Sequence, residues 1–302
     1  LVRRLIKRHN PDLVLIEHIM MAQYLPGDSS DWHLPPVLLS DHDVRAGAAQ
    51  VHRVPRRLAA WLTMLEERRW QRYKRLSWRR VQAVLVPSAE DAAVILRSVS
   101  DATVEIVPFG LAPRDLSSTN GLVRDDSTLL FVGNFDHPPN RDAALRLGNG
   151  VFPIVAKSRP DTRLLLVGKN PTPDIEALAA NDERITVTGE VESVEPYLRG
   201  CALFVAPLTK GGGVRIKLLE AMSAGIPVIT TPLGVHGLGA QPGRHLLVAS
   251  DDGEFAQAIV GALSDHASRA RLAAQAYALV AGPERTAMRA QRLNDVLQRF
   301  AK

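Results

Sequence analysis

Short apolar runs alternate with helical patterns along almost the whole chain. Most of these runs are continuously apolar instead of alternating, which is typical of parallel strands that are buried on both faces. The front part has predicted strands at Asp12–Glu17, Val37–Ser40, Val81–Val86 and Thr103–Val107. Further predicted strands follow at Thr128–Val132, Arg163–Val167, Ile185–Thr188, Ala202–Ala206, Pro227–Thr230 and His245–Val248. Strand–helix alternation of this kind predicts two doubly wound α/β sheets.

Helix boundaries are marked by a capping motif, by prolines and by a glycine. Ser88–Asp91 is a capping box in front of a predicted helix. The double proline in Pro138–Asn140 is expected to stop the chain before a helix that reaches about Ser158. Gly225 follows the helix that contains Glu220 and is expected to end it.

A polar stretch without periodicity separates the two predicted sheets. Residues 113–127 are rich in Ser, Thr, Asn, Gly and Pro, a composition that is typical of a linker. The predicted domains are therefore 1–112 and 128–302. The last predicted helix, about 284–301, is expected to pack back on the first domain.

Composition restricts the class of protein. The chain has 302 residues, 46% of them hydrophobic and 23% charged, which is ordinary for a folded globular protein and long enough for two domains. No apolar run approaches the roughly 18 residues of a membrane-spanning helix. The lone cysteine, Cys201, cannot form an internal disulfide, so a cytoplasmic setting is expected. Without Cys and His pairs at ligand spacing, a structural zinc site is excluded.

Positive charge is concentrated in Arg53–Arg80, whose excess of Lys and Arg is larger than the net charge of +5 of the whole chain. Because the remainder is slightly acidic, general affinity for nucleic acid is not expected. The same segment contains Trp61, Trp70, Trp78 and Tyr73. Two interpretations stay open: a peripheral membrane contact through 53–80, or a solvated helix whose tryptophans pack inward.

The segment around Gly211–Gly213 carries the strongest chemical signal. A predicted strand leads into these glycines, and a helix follows, so free amides, the helix dipole and close backbone approach can together bind an anion. Arg215 and Lys217 fall in the predicted first turn, where cations are unfavourable unless an anion such as a diphosphate bridges them. Glu220 is a candidate acceptor for sugar hydroxyls. The alternative is an ordinary surface helix of mixed charge.

Two better-known phosphate-binding motifs are absent. The sequence contains no G-x-x-x-x-G-K-[ST], which excludes a P-loop NTPase. Gly211–Ile216 lacks the third glycine of G-x-G-x-x-G and follows a late strand of its domain, so a nicotinamide-dependent oxidoreductase is not expected.

The segment resembles the signature of the family 4 glycosyltransferases, the "glycosyl transferases group 1" enzymes with the GT-B fold. Their pattern G-x-G-x-[RK]-x-K-x-x-E-A-M-[AS]-x-G-x-P-V-[VI]-x-T is matched from Gly211 to Thr231. The resemblance covers residues from about 128 to the C-terminus well, and 12–110 more weakly. Further matches occur in the order that the family has, at Phe131–Asn140, Leu166–Gly168, Val187–Val191 and Gly234–Gly237.

The resemblance implies a fold and an activity. The expected architecture is GT-B, with two Rossmann-like domains that face a cleft. The implied enzyme is a retaining glycosyltransferase that moves a sugar from a UDP- or GDP-type donor to a glycan or lipid-linked acceptor. It would need no metal or other cofactor and would act in the cytoplasm, at the inner face of the cell membrane, in cell-envelope or polysaccharide biosynthesis.

The resemblance also implies roles for single residues. Arg215 and Lys217 would hold the donor diphosphate and stabilise the leaving group, which makes them the catalytic candidates together with His42. Glu220 would bind the ribose. The list of implied donor-binding positions is completed by Gly133, Asn134, Gly189, Val191, Gly211, Gly212 and Gly213.

Two positions depart from the family pattern. The family often has a glutamate eight residues before Glu220, and this chain has Gly212 there, so contact with the donor sugar would fall to the amides of Gly211–Gly213. Many members have Arg after the glycine that follows the first strand of the donor domain, where this chain has Asn134. The latter change leaves more of the phosphate binding to Arg215 and Lys217.

His42 is the candidate in the front domain for contact with the donor sugar. It follows a predicted strand, where the family often carries a histidine. The alternative is a loop histidine with Asp41 and Asp43 as its neighbours.

The front domain is expected to be incomplete, because about 110 residues precede the linker and Leu1–Glu17 resembles the middle of the family's acceptor domain. The chain as given is therefore expected to have little or no transferase activity. Two alternatives remain: a non-catalytic fragment that binds nucleotide sugars, and a GT-B UDP-sugar epimerase.

Overall fold

The computed structural model of the chain describes residues 2–25, 35–45, 47, 56–109, 111, 125–211 and 213–301. It divides into two compact units. Unit 1 comprises Leu1–Phe109, Gly212–Val214 and Met288–Lys302, and unit 2 comprises Gly110–Gly211 and Arg215–Ala287. Residues 112–124, which make up most of the predicted linker, lie outside the described residues, and so does Gly212.

Unit 1 is built on a parallel four-stranded sheet in the order β1-β2-β3-β4. Every residue of β2 and β3 is buried, as their continuous apolar runs predict. The strands are β1 Val14–Glu17, β2 Val37–Ser40, β3 Ala83–Val86 and β4 Val104–Ile106. The helices are α1 Val2–His9, a 3₁₀ helix Ile19–Tyr24, α2 Arg56–Arg79 and α3 Ala89–Ser98.

The C-terminal half of the basic helix α2 packs Trp70, Tyr73 and Trp78 against the rest of unit 1. Trp78 is buried and donates a hydrogen bond from Nε1 to Asp41 Oδ2 at 2.9 Å. Tyr73 donates to the carbonyl of Ile19 at 2.9 Å, and Trp70 packs on the same core cluster. This part of the helix therefore fits the inward-packed alternative. Among the described residues, no helix is both long and apolar enough to span a bilayer.

Unit 2 is built on a parallel six-stranded sheet in the order β10-β9-β8-β5-β6-β7. The strand order runs outward from β5 to one edge through β6 and β7 and to the other edge through β8, β9 and β10, so the sheet is doubly wound. Ligands bind such sheets at the carboxyl ends of the strands. The strands are β5 Thr128–Val132, β6 Arg163–Val167, β7 Ile185–Val187, β8 Leu203–Ala206, β9 Val228–Thr230 and β10 Leu247–Val248. The predicted α/β class with two parallel sheets is confirmed.

The helices of unit 2 connect these strands. They are α4 Pro138–Arg146, a π-helical turn Leu147–Val151, α5 Phe152–Ser158, α6 Pro173–Asn181, α7 Glu195–Gly200, α8 Ile216–Ser223, α9 Pro232–Val235, α10 Asp252–Ser264 and α11 His266–Val280. Pro138 and Pro139 lie in the first turn of α4, so the expectation that they precede the helix was wrong. Proline fits there because first-turn amides need no partner within the helix.

The last helix, α12 Pro283–Phe300, contributes its residues from Met288 onward to unit 1. Val296 is fully buried in one cluster with Leu38 and Leu85. Glu105, buried on β4, accepts a hydrogen bond from Arg292 at 2.7 Å and one from Arg299. Apolar packing and a buried carboxylate with two guanidinium partners therefore hold this end of the chain on the sheet of unit 1.

Candidate functional site

Three loops meet at the carboxyl ends of β5, β6 and β7, and each contains a glycine where the backbones approach. A Cβ on Gly168 would lie 1.8 Å from the carbonyl oxygen of Gly133, and φ of Gly168 is +143°. Gly168 N–H donates to Gly189 O at 3.2 Å, and nothing lies within 4 Å of the place where a Cβ on Gly189 would stand. Because these loops carry glycines, their backbone is not covered by side chains at the edge where α/β sheets bind ligands.

A fourth glycine-containing loop leads from β8 into α8. Gly211 and Gly213 have φ of +117° and +73°, which glycine adopts at little cost. The helix begins at Ile216, so Arg215 occupies the N-cap position and does not lie in the first turn as expected. Its guanidinium NH2 donates to Gly211 O at 2.8 Å, which fixes the cation beside the loop.

Lys217 lies in the first turn of α8, and its side chain reaches back to the first strand of the sheet. Its Nζ donates to Val132 O at 2.8 Å and to Asn140 Oδ1 at 2.6 Å. The ammonium also lies 4.6 Å from the centre of the Phe131 ring. The structure therefore brings Lys217 to the end of β5, immediately before Gly133.

Burial lowers the pKa of Lys217 most, the positive charge of Arg215 lowers it as well and Glu220 raises it, and together they leave the pKa at about 7. Near neutral pH the amine therefore exchanges readily between its charged and neutral forms. An anion bound beside it would favour the ammonium, because an opposite charge within a few ångströms stabilises the charged form.

Glu220 lies one turn after Lys217 and is partly buried. Its backbone carbonyl accepts from Ser223 Oγ at 2.8 Å. Within the described part of the chain, its carboxylate has no hydrogen-bond or ion-pair partner. The position leaves this carboxylate available to hydroxyl groups.

Asn134 follows Gly133 and shapes its own loop. Its Oδ1 accepts from the backbone N–H of Asp136 at 3.2 Å and from Asn170 Nδ2 at 3.3 Å. The side chain is therefore held within the loops after β5 and β6 and does not contact Lys217. Val191, two residues after Gly189, is partly buried.

His42, the candidate in unit 1, pairs with a residue that the sequence did not single out. Its Nε2 lies 2.8 Å from Glu17 Oε2 and 3.2 Å from Ser40 Oγ. Asp43 instead pairs with His18 Nε2 at 3.1 Å, and the buried Asp41 accepts from Trp78. His42 is therefore oriented by β1 and β2, not by its two neighbours in sequence.

Asn140 contacts Lys217 and has no role in the sequence-based prediction of the site. It lies at the end of the matching segment Phe131–Asn140. The available signal was a polar residue in the first turn of a helix that follows a strand and a glycine loop. Among the described residues, no group of three or more His, Cys, Asp or Glu is placed so that it could hold a metal ion.

Comparison with known proteins shows what part of the chain is similar to a known family. Residues 126–265 match the family model described as "Glycosyl transferases group 1". A phosphatidyl-myo-inositol mannosyltransferase of Mycobacterium leprae is 32% identical over 176 residues, which are 56% of this chain and 46% of that protein. The match therefore spans less than half the length of this relative.

Solved structures share the fold. Sucrose-phosphate synthase from Thermosynechococcus elongatus has a TM-score of 0.70 at 19% identity, over 98% of this chain and 76% of that one. A variant of S. aureus TarM, in complex with Fondaparinux, alpha-GlcNAc-glycerol and UDP, has a TM-score of 0.69 at 10% identity, over 88% of this chain and 51% of that one. The chain thus has the fold of GT-B glycosyltransferases, and its residues 126–265 are similar to the group 1 glycosyltransferase domain, which supports a transferase.

Proposed function

We propose that the protein is a retaining glycosyltransferase that moves a sugar from a nucleoside-diphosphate donor to a glycan or lipid-linked acceptor. One observation carries the proposal: Arg215 and Lys217 lie at the start of α8, directly after a glycine loop, and the Nζ of Lys217 reaches the end of β5. An anion there would meet two positive side chains and the free amides of a helix N-terminus.

The same groups suit the chemistry of glycosyl transfer. When the bond between the sugar and the diphosphate breaks, negative charge develops on the leaving oxygen. Arg215 and Lys217 can stabilise that charge with charge-assisted hydrogen bonds, as preorganised donors. No metal takes part in this scheme. Glu220 is assigned to the ribose, since its carboxylate is available one turn away.

The proposed classes of nucleotide and acceptor are supported by two of the similar proteins described above. The TarM variant was solved with UDP, and the relative from Mycobacterium leprae is named for transfer of mannose to a phosphatidyl-myo-inositol. We therefore propose a UDP- or GDP-sugar donor and a hydroxyl of a glycan or lipid-linked sugar as acceptor. Both UDP and GDP are therefore used wherever nucleotide binding is measured below.

The first test separates a ribose contact from a chemical role of Glu220. In Glu220→Gln we expect the affinity for UDP or GDP to fall by about tenfold, because a charged acceptor for hydroxyls is lost. Affinity for inorganic pyrophosphate should stay within about twofold of the wild type. Calorimetric titration of both ligands measures this, with Glu176→Gln on α6 as the matched control.

The opposite result is equally clear. If Glu220→Gln binds donor and nucleotide normally and loses only turnover, Glu220 acts in the chemical step and not on the ribose. Turnover is followed by release of UDP or GDP from a nucleotide sugar. The anomeric configuration of the product, read by NMR, tests retention.

We also propose that α2 contacts an anionic membrane surface through the part of the helix that does not pack on unit 1. Trp61, Met64 and Leu65 are exposed there, by 55%, 48% and 37%, and exposed arginines including Arg68 and Arg72 follow on the same helix. Exposed apolar and basic residues on one helix suit an interface that is both apolar and negative.

Sedimentation with phosphatidylglycerol vesicles tests this contact. We expect binding that weakens with salt, and a loss of at least tenfold in the double variant Arg68→Glu and Arg72→Glu, since each surface cation contributes about 1 kcal/mol. Arg97→Glu on α3 is the matched charge control. Equal binding of neutral and anionic vesicles, or no effect of the double variant, contradicts the proposed contact.

A further inference from the structure

Asn140 connects two parts of the anion site through the two ends of its carboxamide. Its Oδ1 accepts from Lys217 Nζ at 2.6 Å, and its Nδ2 donates to the backbone carbonyl of Asn134 at 2.8 Å. A Cβ on Gly133 would lie 3.0 Å from Asn140 Cβ and Cγ, so the amide also packs closely on the loop after β5. One side chain on α4 thus links the ammonium on α8 to that loop.

These contacts fix which way the amide points. If the carboxamide were rotated by half a turn, its NH2 group would face the ammonium and its oxygen would face a carbonyl, and neither pair could form a hydrogen bond. In the observed orientation, the oxygen favours the charged form of Lys217. Asn140 therefore opposes the effect of burial on the same amine.

The other groups that surround Lys217 act on its charge in both directions. On its own helix Arg215 disfavours the ammonium and Glu220 favours it. From β5 it receives the Val132 carbonyl and the Phe131 ring. On α4, the carboxylate of Asp142 is paired with Lys210 at 3.1 Å.

We propose that Asn140 is a positioning residue for the donor diphosphate: its carboxamide holds Lys217 Nζ beside the loop after β5 and favours the ammonium form of that amine. The inference rests on the proposed function, in which Lys217 binds the diphosphate. Without Asn140 the partly buried ammonium loses a hydrogen-bond acceptor, so the population of the neutral amine rises. The diphosphate then loses a cationic partner.

The first arm of the test needs no nucleotide. Titration of lysine ¹³Cε signals by NMR gives the midpoint of Lys217, which is assigned by its absence in Lys217→Arg. We expect the midpoint to fall by about one pH unit in Asn140→Ala and to rise by about one unit or more in Asn140→Asp. Asn170→Ala, which removes a nearby amide that does not touch Lys217, should leave the midpoint unchanged.

The second arm measures affinity for UDP and GDP as a function of pH. Because Asn140→Ala lowers the charged fraction of Lys217, its loss of affinity should be about tenfold at pH 8 and about twofold at pH 6. A general structural defect would instead weaken binding equally at both pH values. Thermal unfolding of both variants, of which the Asp variant keeps the size of the side chain, checks that the fold is intact.

The outcomes separate the two claims. An unmoved Lys217 midpoint in both variants, with normal nucleotide binding by the wild type, overturns the role of Asn140 alone. Failure of the wild-type chain to bind either nucleotide overturns the proposed function, and the role of Asn140 with it. Opposite shifts in the Ala and Asp variants, together with the pH-dependent loss of affinity, support both.

Discussion

Replacing Lys217 by Met is expected to weaken binding of UDP or GDP by about 1.5–3 kcal/mol, the usual effect of removing a charged hydrogen-bond donor. Arg215→Ala should cause a loss of the same size, because both cations lie at the start of α8. Lys157→Met, which removes an exposed cation from α5, is the matched control and should change the affinity little. Unchanged calorimetric affinity in both site variants contradicts the assignment of the diphosphate to this helix start.

The lowered pKa of Lys217 gives the same site a pH dependence. Since the pKa is about 7 in the free chain and a bound diphosphate raises it, binding takes up a proton at pH 8 and weakens as the pH rises above 7. Calorimetry in two buffers of different ionisation enthalpy should show uptake of about one proton per nucleotide. Lys217→Arg, whose side chain is always charged, should show almost none. An equal proton count in both proteins would exclude Lys217 as the group that titrates.

Gly168→Ala is expected to lower the free energy of unfolding by about 3 kcal/mol or more. The added methyl group would stand 1.8 Å from the carbonyl oxygen of Gly133, and both positions belong to backbone that has little room to move. The φ of +143° adds strain for any residue with a Cβ. Since the loop after β5 must shift, nucleotide affinity should fall as well.

Gly261→Ala is the matched control for this prediction. Gly261 lies in α10, and nothing lies within 4 Å of its added Cβ. The substitution should therefore raise the stability by about 0.5–1 kcal/mol. Urea unfolding measures both variants. Equal stability of Gly168→Ala and the wild type would mean that the approach of the loops after β5 and β6 is not as close as described.

The strands were the most predictable part of the fold. Val37–Ser40, Thr128–Val132 and Arg163–Val167 have the predicted bounds, because a strand buried on both faces has an apolar residue at nearly every position. The end of α8 was also predicted from a local signal, the glycine that follows the helix. Gly225 has φ of +66°, which glycine adopts at little cost. Such features depend on neighbours along the chain.

Contacts between distant residues could not be predicted in the same way. Lys217 and Asn140 are 77 residues apart, and His42 and Glu17 are 25 apart, so no local pattern links either pair. The basic helix shows the same limit. Its composition fitted both a membrane surface and an inward-packed face, and only the position of Asp41 shows why Trp78 turns inward.

A crystal structure of the chain with UDP or GDP, whichever binds more tightly, shows directly where the diphosphate lies. We expect phosphate oxygens within hydrogen-bond distance of the Arg215 guanidinium and Lys217 Nζ, with a ribose hydroxyl on the Glu220 carboxylate. A nucleotide whose phosphates lie away from both cations, while the fold is unchanged, would contradict it.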